Sequence, residues 1–130
     1  MSDIVNRPLP PSFREAICRA ERQVELWVLR HDKVEHLDIY REICKILAEV
    51  YMMRDEDRVR ISGEWLDVRI VKDVFSEFGE MEARQVVGEY TRLTEHVRNP
   101  KAYLRTMIYN SVFSGSAAAE NAYRSDLSKQ

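Results

Sequence analysis

The chain has 130 residues, 45% of them hydrophobic, and a formal net charge of −2 from interspersed acids and bases. That length makes one domain with a substantial core. That charge excludes a bulk electrostatic binder such as a histone-like protein but leaves room for a local basic patch.

Residues 1–11 carry Pro8, Pro10 and Pro11 and read as a disordered lead-in to a single helical domain over 12–127. Ser12 is an N-cap, and Glu15 three residues on completes a capping box. The helix it opens is predicted to run unbroken to about His31, with Phe13, Ile17, Ala20, Val24, Trp27 and Val28 recurring at steps of three and four. Arg14, Glu15, Arg19, Glu21, Arg22 and Glu25 read as its solvated, mixed-charge face. Leu26 and Trp27 add apolar surface to this helix and mark a candidate homodimer interface.

Asp38 opens a second predicted helix to about Met53, whose stripe is Leu37, Tyr40, Ile43, Cys44, Leu47, Val50 and Tyr51. Val59-Arg60-Ile61 alternates like a short strand and ends at the turn signal Ser62-Gly63. From Trp65 to Phe78 the pattern is again helical, with Gly79 as the stop. A fourth helix is expected from Met81 to about Thr94, with Val86, Val87, Tyr90 and Leu93 inward. Asn99 then caps a helix over 99–113 that has Pro100 in its first turn. Tyr103, Met107 and Ile108 share its apolar face, with Leu104 beside them, and Arg98, Lys101 and Arg105 lie towards the other side. Ser114-Gly115-Ser116 reads as a break, and an Ala-rich last helix is expected over 117–127. The fold class is therefore all-α, a compact bundle of five or six helices with one short extended segment near residues 58–62.

Chemistry-bearing patterns are sparse. His31, His36 and His96 have no partners at metal-ligand spacing, and no Gly-rich phosphate loop or nucleophile elbow occurs. No metal, cofactor or catalytic residue is expected. Cys18 and Cys44 sit inside helical patterns and read as buried, reduced thiols of a cytoplasmic protein. No run approaches the roughly 20 apolar residues of a membrane helix, and no signal-type apolar region opens the chain, so no membrane partner is expected. The candidate binding residues are Arg98, Lys101 and Arg105, with Tyr109 as a stacking group among them. Cations interleaved with aromatics suit single-stranded nucleic acid.

Residues 37–126 contain Tyr40-Arg41-Glu42-Ile43, then Val59-Arg60-Ile61-Ser62-Gly63, then Ile70-Val71-Lys72-Asp73-Val74-Phe75. Last comes Val97-Arg98-Asn99-Pro100-Lys101-Ala102-Tyr103-Leu104-Arg105-Thr106-Met107-Ile108-Tyr109-Asn110. In this order the segments resemble the C-terminal domain of replication initiator protein A, a DnaD-related family of Firmicutes plasmids and conjugative elements. The family carries an N-terminal winged-helix domain, whereas residues 1–36 here are expected to hold a single long helix instead. The resemblance implies a non-enzymatic accessory or regulatory module of mobile-element DNA replication. Its partner would be DNA, bound weakly and with the single strand as one candidate form, or a replisome protein. From a different class comes the alternative of a structural protein–protein module that uses the N-terminal helix and binds no nucleic acid.

Overall fold

Ser12 begins the ordered path as its sequence position implies: its backbone is extended and its Oγ accepts the Glu15 N–H at 3.3 Å. The computed structural model describes residues 11–93 and 95–115; the lead-in over 1–10 and the last predicted helix over 117–127 lie outside them. Helix α1, Phe13–Gln23, buries Ala16 and Ala20. The expected unbroken run to His31 does not form. Glu25 adopts a left-handed conformation (φ 54°, ψ 52°), and a separate short helix α2 spans Leu26–His31. That residue turns the next segment about its axis. Leu26 and Leu29 enter the core at 6% and 0% exposure, while Trp27 is left 70% exposed. Burial of the two leucines offsets a left-handed non-glycine residue, which costs roughly 1–2 kcal/mol.

Helix α3, Leu37–Met52, is the central element. It is capped by His36 in a left-handed conformation rather than by Asp38, and it buries eight residues, including Ile43, Ile46, Leu47 and Tyr51. A helix apolar on several sides is one that neighbours must surround. It packs chiefly on α1, and also on the three helices that follow.

Strand β1 is Arg58–Ile61 and strand β2 is Glu64–Asp67; they pair antiparallel, Arg58 with Asp67 and Arg60 with Trp65. Ser62 (φ 53°) and Gly63 (φ 83°) form the two-residue turn, and positive φ at both central positions is what a type I′ hairpin requires. The all-α expectation is thereby corrected: the molecule is mainly helical with a two-stranded sheet. Trp65 and Leu66 belong to β2, not to a helix, because pairing with β1 outweighs an ambiguous four-residue pattern.

Asp67 accepts the Arg69 N–H at 3.1 Å and caps helix α4, Val68–Phe75. Gly79 is not the stop of this helix. It precedes helix α5, Glu80–Thr91, and its carbonyl accepts the Ala83 N–H. Helix α6 spans Pro100–Gly115, with Asn99 Oδ1 accepting the Ala102 N–H at 3.1 Å. It stays helical through Ser114-Gly115, where a break was expected. Leu104, Ile108 and Val112 face inward. Tyr103, expected in the core, is 41% exposed with its ring against Tyr90, centroids 6.4 Å apart.

One polar network lies within this packing. The Gln23 side-chain amide donates to the backbone carbonyls of Phe75 and Phe78, the latter at 2.6 Å, and accepts from the Tyr51 hydroxyl at 2.5 Å. A single amide thus joins α1, α3 and the end of α4.

Candidate functional site

The hairpin turn, residues 95–99 and the first turns of α6 enclose a cleft of about 800 Å³. Local chemistry sets its walls. The type I′ turn projects from the sheet, and the Ser62 N–H donates to Thr106 Oγ1 at 3.1 Å, which pins the turn to α6. Arg60, Arg98 and Arg105 all line the cleft, together with His96 and one carboxylate, Glu95. None of the three arginines forms an ion pair with a described residue. Arg98 is exposed and Arg105 half-buried. The Arg105 Nε is sealed from solvent and has no hydrogen-bond partner among the described residues, so its terminal amino groups are what it can offer a ligand.

The structure thus brings together two of the four residues singled out by sequence. Lys101 points elsewhere: its Nζ lies 2.6 Å from Glu49 on α3. Tyr109 is half-buried and does not line the cleft; its ring stacks on Phe113, centroids 6.0 Å apart and 10° from parallel. Arg60 comes in from β1, 38 positions before Arg98 in the numbering. Its guanidinium carbon is 5.9 Å from the centre of the Trp65 ring on the neighbouring strand. Sequence reasoning missed both residues. The available signal was Ser62-Gly63 between two short runs containing Val59, Ile61 and Leu66, which predicts a two-residue hairpin and hence a cross-strand Arg60–Trp65 pair.

Away from the cleft, Leu26 and Trp27 part company. Leu26 is a core residue, whereas Trp27 borders a shallower depression of about 590 Å³ with Cys18, Arg14, Arg22 and Arg30. Cys18 is exposed, contrary to the expectation for both thiols, and Cys44 is buried.

The groups whose titration the fold moves are away from the cleft. Burial pushes the Cys44 thiol up to about 12, with the Glu21 charge adding to it. Burial also raises Tyr51, opposed by the Arg19 guanidinium, which sits 3.9 Å from its ring centre, and by the Gln23 hydrogen bond. Tyr40 is raised by burial as well, and Arg84 is raised by its bond to Glu80. Among the described residues no group of three or more His, Cys, Asp and Glu side chains is arranged to hold a metal ion, and no helix is long and apolar enough to cross a membrane. What the cleft can do chemically is bind anionic oxygens with a set of guanidinium groups. Comparison with known proteins finds no family model, no curated protein and no solved structure that matches this chain.

Proposed function

We propose that this chain is a non-enzymatic nucleic-acid-binding module, acting as an accessory or regulatory component of mobile-element DNA replication. The observation that carries the binding reading is the convergence of Arg60, Arg98 and Arg105 on one cleft, without ion-pair partners among the described residues. The replication setting rests on the resemblance of residues 37–126 to the replication initiator protein A C-terminal domain. The net charge of −2 keeps the interaction local to the cleft.

Each neutralised phosphate contributes about −0.7 to −0.9 to the slope of log affinity against log salt, so three contacts give roughly −2 to −3. The test is a salt series of fluorescence anisotropy with labelled single-stranded and duplex DNA. Wild type is compared with the variant carrying Arg60→Ala, Arg98→Ala and Arg105→Ala. The variant is expected to keep its circular dichroism spectrum and lose most of the slope. Equal binding by both proteins, or none by either at low salt, defeats the reading.

One observation favours the second reading, a homodimer through the N-terminal helices: Trp27 is 70% exposed beside the charged face of α1. In that case light scattering gives a dimeric mass, and Trp27→Ala returns it to that of one chain.

A further inference from the structure

Resting on the reading of the cleft as a phosphate-binding surface, we infer that its ligand is a single-stranded polynucleotide. One base stacks on Trp65 while neighbouring phosphates lie along Arg60, Arg98 and Arg105. Trp65 is one of the largest apolar side chains the molecule leaves in solvent, at 62% exposure. It stands opposite Arg60 in the strand register, so both project from the same, outward face of the hairpin, while Val59 and Ile61 take the inward face. Arg60 is at once part of the cleft wall and a neighbour of the indole, 5.9 Å from its centre. The ring therefore flanks the cationic wall.

The platform is also preorganised. The two-residue turn sets the strand register, and the Ser62–Thr106 hydrogen bond ties that turn to α6, which carries Arg105. A ring held by paired strands loses little freedom when a base settles on it.

The ligand class follows from what each wall can recognise. Three guanidinium groups drawn from β1, the segment before α6 and α6 itself line the cleft, and a strand offers a phosphate to each where a mononucleotide offers one. A duplex keeps its base faces inside its own stack, so only an unpaired base can lie on Trp65. A run of Asp and Glu offers carboxylates to the arginines but no flat aromatic face to the indole. Tyr109, the stacking group expected from sequence, is half-buried and does not line the cleft.

The experiment measures binding of short dT and rU homopolymers, a strand of equal length built from abasic sites, the corresponding duplex, and polyglutamate. It uses wild type, Trp65→Ala and Trp65→Phe. Base stacking on an aromatic side chain predicts that Trp65→Ala weakens binding of the base-bearing single strands about 5-fold to 150-fold. Trp65→Phe recovers most of that loss, and the abasic strand binds both proteins alike. In a Trp27→Phe chain, Trp65 is the sole tryptophan. Its fluorescence is expected to be quenched by dT or rU and left unchanged by the abasic strand, a readout that needs no change at position 65. Whichever of dT and rU binds more tightly identifies the natural strand. Salt-dependent binding that is the same in wild type and Trp65→Ala, without quenching, overturns this inference and leaves the phosphate-binding reading standing. Equal affinity for duplex or polyglutamate overturns it too. Binding by no strand, or binding unaffected by loss of the three arginines, removes both.

Discussion

Cys44 and Cys18 carry the same thiol into opposite environments. Cys44 lies on α3 with no exposed surface, and burial holds its proton until about pH 12. In the unfolded chain a thiol titrates near about 8.5. The folded value is the higher one, so the contribution to stability is complete below about pH 8.5. It is lost as pH rises towards the folded value, by up to about 1.4 kcal/mol per pH unit. The buried Tyr40 and Tyr51, also raised, act in the same direction at still higher pH. Urea unfolding from pH 7 to pH 11 is expected to show this alkaline loss, and Cys44→Ala is expected to flatten its first part. With an aromatic disulfide reagent under native conditions, Cys18 reacts at once and Cys44 only as the chain opens. Gln23 is a second residue whose importance its type conceals, since a glutamine near a helix end reads as surface. Gln23→Ala withdraws a donor from the Phe75 and Phe78 carbonyls and a partner from the Tyr51 hydroxyl. The Tyr51 hydroxyl still reaches the Phe75 carbonyl at 3.2 Å, so the Phe78 carbonyl is the group left without its donor; one unsatisfied buried group costs about 1–3 kcal/mol, and urea unfolding should lose that much while the cleft still binds.

Among the left-handed positions that shape the elements, two ask for opposite substitutions. Glu25 holds φ 54° between α1 and α2 without the freedom of glycine. Glu25→Gly is expected to raise stability by about 1 kcal/mol, provided the break is retained. Gly63 holds φ 83° in the hairpin turn, and although a Cβ there meets nothing within 4 Å, the backbone itself resists it. Gly63→Ala should lower stability by about 1 kcal/mol. Thermal or urea melts of the two variants should move in opposite directions; a shift of the same sign would contradict the assigned turn or the break. Much of the rest at this scale was legible in sequence. Ser12 and Asn99 cap α1 and α6 through short local bonds. Val71, Phe75 and Phe78 are buried as their spacing implies. Tyr103 was misread because Leu104 lies one position along the same helix and the core took the aliphatic side chain, at 2% exposure.

The whole molecule decides which cations act together. Lys101 and Arg105 are four residues apart and share a side of α6, yet the Lys101 stem reaches Glu49 while Arg105 lines the cleft. The Lys101–Glu49 pair is partly exposed on both sides, so its net worth is about 0–1 kcal/mol. Lys101→Ala is therefore expected to leave the salt slope of strand binding nearly unchanged, whereas Arg105→Ala should reduce its magnitude by about 0.7–0.9. Both are read in the same anisotropy series, and equal effects would mean that Lys101 leaves Glu49 to join the ligand. By itself the sequence determined the properties that depend on near neighbours: most of the inward face of α3, where α1 and α6 begin, and that Val59-Arg60-Ile61 is extended. Periodicity and capping act within a few residues, so spacing alone carries them. Only the tertiary structure decided that Glu25 breaks the first helix and that Arg60 rather than Lys101 stands with Arg98 and Arg105. Each of these depends on a partner distant along the chain or on the burial of a neighbouring segment: the Leu26 and Leu29 pocket, the Ser62–Thr106 bond and the Glu49 carboxylate. Such contacts exist only once the chain has closed on itself, and no local spacing encodes them.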